Sequence, residues 1–109
     1  MTFKIIDFEQ RATIKVVGVG GAGGNAINRM TASGMRGVEF IAVNTDTQDL
    51  EASSADHCIC IGENVTRGLG SGAQPELGRQ AIDEARDKVA EQLADTDLVF
   101  ITAGMGGGT

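Results

Sequence analysis

The chain of 109 residues is 41% hydrophobic, holds 16 glycines against one proline, and carries a formal net charge of -6. That is enough apolar material for the core of one modest domain, or of part of a larger one. The charge has the wrong sign for gripping a nucleic-acid backbone, and without Trp or Tyr there is no stacking platform for single-stranded bases. A nucleotide stays within reach, because backbone N–H groups hold phosphate without Lys or Arg. The opening "MTFKIIDFEQ" is not a signal peptide, since no cationic start precedes an apolar stretch. No apolar run approaches the ~18 residues of a membrane span. The expectation is a soluble cytoplasmic protein without nucleic-acid partners or direct membrane insertion.

Residues 13–19, "TIKVVGV", form the first apolar run, and "EFIAVN" (39–44), "HCICIG" (57–62) and "LVFITAG" (98–104) follow. Each is nearly continuous in apolar residues, which suits strands of a parallel sheet covered on both faces. The first run ends in Gly18, Gly20 and Gly23, spaced G-x-G-x-x-G between a strand and a helix. Glycine removes the Cβ that would hold an anion away, so the N–H groups of residues 21–25 can point at phosphate, aided by the helix dipole. The helix is expected over 25–33, ended by Gly34 and Gly37.

The second strand ends in Asn44, with Asp46 two residues on, displaced from where a dinucleotide-binding fold carries its ribose-binding acid. Asp46 is a candidate metal or ribose ligand, although Asp just past a strand is often only a turn residue. A short helical turn is expected over 47–52. In "HCIC", alternation puts Cys58 and Cys60 on one face and His57 on the other, so three ligands cannot converge on a metal. Free, buried thiols are expected instead. Residues 62–75 form a loop longer than ordinary connections, "RGLGSGAQPELG" at its heart, and therefore suspect for function. Arg67 within it reads equally as a phosphate or subunit contact and as ordinary surface. A helix is expected over 76–93, with Leu77, Ala81, Ile82, Ala85, Val89 and Leu93 as its apolar stripe and Glu84 four residues before Lys88. Met30 and Met35 read as core filler. A third glycine loop, "GMGGGT", follows the fourth strand.

Strand and helix alternate, so the fold class is α/β, a Rossmann-like doubly wound parallel sheet in the order 3-2-1-4. The loops after the first and fourth strands then face each other at the carboxyl edge of the sheet, where such folds bind ligands. One loop suffices for a pyrophosphate; three suggest a longer polyphosphate enclosed on several sides. No G-x-x-x-x-G-K-[ST] occurs, which excludes the ordinary P-loop.

"GVGGAGGNAINRM", "GVEFIAVNTDTQDL", "TRGLGSGAQPELG" and "VFITAGMGGGT" resemble, in order and spacing, the successive nucleotide loops of the FtsZ family of bacterial tubulin homologues. The resemblance runs from residue 14 to 109. It stops at Thr109, the fourth residue of the family's glycine-threonine signature. It implies that residues 1–12 are an N-terminal extension and that 13–109 are the N-terminal portion of a GTP-binding domain, cut within a phosphate loop and leaving the fourth strand as a bare edge. It also implies GTP and GDP as ligands, with Mg²⁺ held mainly through phosphates and water. Polymerisation would run head-to-tail with other copies of the chain, and the polymer would form the cytokinetic ring at mid-cell.

By position in that resemblance, Gly20, Gly21, Ala22, Gly23, Gly24 and Asn25 would hold the α and β phosphates. Asn44 and Asp46 would border the nucleotide near the subunit contact. Gly70, Ser71, Gly72 and Ala73 would approach the γ-phosphate, and Gly107, Gly108 and Thr109 would close over the phosphates from the fourth strand. Ser71 stands where the family usually has alanine, and Gln74 where it usually has asparagine. The family's base and ribose contacts, its activating acidic loop and the regions that meet membrane anchors and division regulators all lie downstream. No catalytic residue is therefore assigned within this chain, and negligible turnover is expected of it alone. The competing readings are a dinucleotide-binding oxidoreductase and a nucleotide-binding assembly module that never hydrolyses.

Overall fold

The computed structural model describes residues 12–104 and 108–109. The elements, in chain order, are β1 (Ile14–Val19), α1 (Gly20–Ala32), β2 (Glu39–Asn44), α2 (Thr47–Glu51), β3 (His57–Cys60), α3 (Glu63–Thr66), α4 (Pro75–Glu84), α5 (Arg86–Leu93) and β4 (Leu98–Ala103). The four strands make one parallel sheet in the order β3-β2-β1-β4, as expected. Val17 pairs with Ile41 on one side and Ile101 on the other.

Each face of the sheet has its own core. Val17, Ile41, Val43, Ile59 and Ile61 bury against Ala81 and Ala85 of the α4–α5 region, with Val89 and Leu93 packed alongside. Val16, Phe40 and Ile27 of α1 close the other face, with Met30 beside them. Five of the six residues of β2 are buried, from Phe40 to Asn44, which explains its unbroken apolar run. The two outer strands depart from that expectation. Phe100 is 54% and Ile101 70% exposed on opposite faces of β4, so the fourth strand is the bare edge foreseen. In β3 only Ile59 is buried; Cys58 is exposed and Cys60 partly so, which corrects the expectation of buried thiols. Among the described residues β3 is an outermost strand, so its side chains are less covered than those of β2, which lies between two strands. Burial, and next the Glu63 carboxylate, push the Cys60 thiol above its usual pKa, so it stays protonated.

The helices also differ from their sequence outline. The first begins at Gly20 rather than 25, so most of the glycine stretch is its first turns. Gly34, at φ +81°, ends it as expected. The 76–93 helix is two helices, parted at Ala85, whose N–H is shared between the carbonyls of Ala81 and Ile82. The break lies between Glu84 and Lys88, which form no ion pair among the described residues; Arg86 instead reaches Asp83 at 3.2 Å. Ile82 is 37% exposed, off the buried stripe, and Met35 is 48% exposed rather than core filler. At the amino edge of the sheet, Lys15 Nζ donates to the Gln92 carbonyl at the end of α5, and Glu39 lies between Lys15 and His57.

Candidate functional site

The carboxyl ends of β1, β2 and β4 open into one cleft of about 410 Å³. Its first wall is the start of α1. With Val19 as N-cap and no side-chain cap, the N–H groups of Gly20, Gly21 and Ala22 have no helical partner, and the first turn itself contains no acidic residue. The helix geometry therefore corrects the donor set foreseen over 21–25 to residues 20–22, because from Gly23 onward the N–H groups enter the helical ladder. Gly20 takes φ +74°, the left-handed turn that swings the chain from strand to helix. Gly21 has an ordinary helical φ and open space: a Cβ there would find only Asp49 Oδ2, at 3.8 Å. Gly23 does a different job. A Cβ on it would stand 2.6 Å from the Thr102 carbonyl oxygen and 2.8 Å from the Gly18 carbonyl carbon, so it lets α1 lie directly on β1 and β4.

The second wall is the turn after β2. Asn44 is buried, and its Oδ1 accepts from the N–H of Thr45 at 2.8 Å and of Asp46 at 3.2 Å. Its Nδ2 donates to Asp49 Oδ2 at 3.3 Å. Asp46 caps α2, accepting from Gln48 N at 2.9 Å through Oδ1. Both residues thus shape the turn as well as line the cleft.

The third wall is the 62–75 segment, which opens with the unforeseen helix α3. Arg67, Gly68, Gly70, Gly72 and Ala73 all take positive φ, a run that winds the backbone tightly. Gly70 N–H donates to the Thr45 carbonyl at 3.2 Å and Thr47 N–H to the Gly68 carbonyl at 3.1 Å, fastening this loop to the second wall. Gln74, extended at φ -97° and ψ 111°, is the N-cap of α4, with Pro75 in the first turn. Pressed against this wall and Gly78 of α4 is Gly108, where a Cβ would overlap Ser71 Oγ.

Of the residues singled out from sequence, Gly20, Gly21, Ala22, Asn44, Asp46, Gly70, Ser71, Gly72, Ala73, Gly108 and Thr109 line this single cleft. Gly24 and Asn25 line an adjoining recess of about 110 Å³ that shares Gly20, Gly21, Asn44 and Asp49 with it. Gly23 lines neither, and Gly107 lies outside the described residues. Thr45, Asp49 and Leu69 belong to the cleft but were not foreseen. Their only sequence signal is proximity to Asn44, Asp46 and Gly70. No Lys or Arg among the described residues lines the cleft, so the attraction these residues offer an anion rests on N–H groups, hydroxyls and the α1 dipole. Among the described residues no cluster of three or more His, Cys, Asp or Glu is placed to hold a metal ion. No helix there is long and apolar enough to cross a membrane.

The Tubulin/FtsZ family, GTPase domain, matches residues 13–109. An empty FtsZ dimer from M. jannaschii superposes with a TM-score of 0.89 at 43% identity, over 99% of this chain and 32% of that one. A mutant FtsZ from the same organism gives a TM-score of 0.87 at 43% identity, over 99% and 33%. CetZ2 from Haloferax volcanii, solved as a GTPγS-bound protofilament, gives 0.75 at 29% identity, over 88% and 31%. The chain spans about a third of the length of these proteins. With the fold, the order of the loops and the family match in agreement, the chain belongs to the Tubulin/FtsZ family, within its GTPase domain.

Proposed function

We propose that this chain is the phosphate-holding part of a GTP-binding, GTP-hydrolysing cytoskeletal protein that polymerises head-to-tail. The observation that carries the reading is the convergence of three walls on one cleft whose donors are backbone N–H groups and hydroxyls. Such a cleft suits a polyphosphate held from several sides. Residues 20–22 take the phosphates at the α1 N-terminus. Residues 70–73 meet the terminal phosphate, and Gly108 and Thr109 close the floor. Residues 13–109 form the N-terminal portion of the GTP-binding domain. The likeness to an FtsZ dimer and a CetZ2 protofilament supports self-association. The cytokinetic ring, a cytoplasmic mid-cell location and contacts with anchors and regulators through other regions belong to the same reading.

Two carboxylates, Asp46 and Asp49, stand in a cleft that no cationic side chain among the described residues lines. They fit a Mg²⁺ ion that arrives with the phosphates and is held mainly by phosphate oxygens and water. That ion would neutralise charge on the transferring group. Asp46 caps α2 through Oδ1 and Asp49 Oδ2 accepts from the Asn44 amide; their remaining lone pairs suit water on the ion, and neither is assigned as a general base. Hydrolysis therefore awaits a group from a second subunit, and this chain alone should show negligible, concentration-independent phosphate release with Mg²⁺-GTP.

Competition against a fluorescent GTP analogue tests the binding reading. GTP should displace it and NAD at the same concentration should not. Displacement by NAD alone would transfer the site to dinucleotide chemistry, and steep concentration-dependent phosphate release by the 109-residue chain would refute the shared-site account.

A further inference from the structure

The two carboxylates of the turn after β2 face opposite walls of the cleft. Asp46 faces the third wall, where a Cβ on Gly70 would lie 3.5 Å from its Oδ2. Asp49 faces the first, where a Cβ on Gly21 would lie 3.8 Å from its Oδ2. The cap of α2 accounts for the difference. Asp46 is the N-cap, and Asp49 is the third helical residue, the position from which a capping-box side chain reaches back to the N-cap N–H. Here that N–H already donates to Asn44 Oδ1 at 3.2 Å. Asp49 turns outward instead. Its Oδ2 accepts from Asn44 Nδ2 at 3.3 Å, and the residue lines both the cleft and the recess beside it. A carboxylate therefore stands beside the first turn of α1, within the field that would draw a phosphate.

We propose that Asp49 is a specificity-determining residue: it repels a bare phosphate from the α1 N-terminus and so makes the affinity of the site for a nucleotide depend on a divalent cation. This rests on the phosphate reading of the cleft given above. No Lys or Arg among the described residues lining the cleft offsets the charge. Asp46 differs, because its Oδ1 accepts from the N–H groups of Gln48 and Asp49 within the α2 cap. Asp49 is exposed, and its one described donor is the neutral Asn44 amide. A phosphate that brings a divalent ion reverses the balance, since Asp49 then faces net positive charge and its free lone pairs accept from water on the ion.

The test is the affinity for GDP, measured by displacement of a fluorescent GDP analogue in excess EDTA and in Mg²⁺, for the protein, Asp49→Asn and Asp49→Glu. The first substitution keeps an acceptor for the Asn44 amide and removes the charge. In EDTA, Asp49→Asn should bind GDP roughly tenfold more tightly, the effect of removing one near charge at a partly solvated site. In Mg²⁺ it should differ from the unsubstituted protein by less than about twofold, because repulsion by phosphate and attraction to the ion offset each other. Salt at about 1 M, where the screening length is about 3 Å, should shrink the gain seen in EDTA. Asp49→Glu keeps the charge and should keep the dependence on Mg²⁺. Unchanged or weaker binding by Asp49→Asn in EDTA overturns the proposal. So does an equal change in EDTA and in Mg²⁺, which would make Asp49 only a support for Asn44. Failure of the unsubstituted protein to bind GDP under either condition would instead strike the phosphate reading itself and the inference with it.

Discussion

The first and third walls of the cleft are both rich in glycine, and they use it for opposite purposes. From the end of β1 into α1 only Gly20 needs positive φ; Gly18 and Gly23 are needed because backbone lies where a Cβ would be, and Gly21 because nearly nothing does. Along 67–73 the need is conformational, with five of seven residues in the left-handed region and two of those, Arg67 and Ala73, not glycine. One wall is a close-packed joint carrying free N–H groups, and the other is a coil held by its dihedral angles. A count of glycines cannot separate these jobs, but substitutions can.

Gly23→Val should have the largest effect. Its Cβ would collide with rigid backbone of β1 and β4, and the protein should lose more than about 4 kcal/mol of stability in denaturant titration, or fail to fold. Gly21→Val, two residues away, should fold with its melting temperature nearly unchanged, since the side chain enters open cleft. It should nevertheless weaken GTP binding on the order of 100-fold, by displacing a phosphate from donors worth about 1.5–3 kcal/mol each. If both variants unfold, or both bind, the division of labour along α1 is wrong.

The coil responds with smaller numbers and in both directions. Gly72→Ala, at φ +60° with no crowding of the new methyl, should cost about 1–2 kcal/mol from conformation alone. Ala73→Gly, at φ +61°, removes the same strain against about 0.5–1 kcal/mol of added chain entropy, so it should be neutral or slightly stabilising. Opposite signs at adjacent residues are the result to seek, and a destabilised Ala73→Gly would sink the conformational account. Asp46→Ala should cost about 1 kcal/mol through the lost α2 cap, read from a thermal melt.

The comparison also shows what could be read from the sequence. Strands buried on both faces declare themselves, and β1 and β2 do so through nearly continuous apolar runs. The order of the sheet follows from alternation and the right-handed crossover. The break at Ala85 leaves no trace, because Ala81, Ala85 and Val89 continue one apolar stripe across it. The early start of α1 is hidden because glycine is a poor helix former, and here packing on β1 and β4 overrides that propensity. In the cleft the glycine loops mark themselves. Thr45 and Asp49 do not, since their roles arise from hydrogen bonds to Thr109 and Asn44 that only the fold brings together.

The position of β1, between a near neighbour and a remote one, has a kinetic consequence. Its partner β2 follows after a single helix, whereas its pairing with β4 begins where Thr13 meets Asp97, 84 residues along the chain. Closing the longer loop costs more chain entropy, and β4 returns little burial for it, with Phe100 and Ile101 still in water. The β3-β2-β1 unit can therefore assemble early, and β4 docks late and opens first. Since β4 carries the floor of the cleft, Gly108 and Thr109 reach the phosphate site only in the last step of folding.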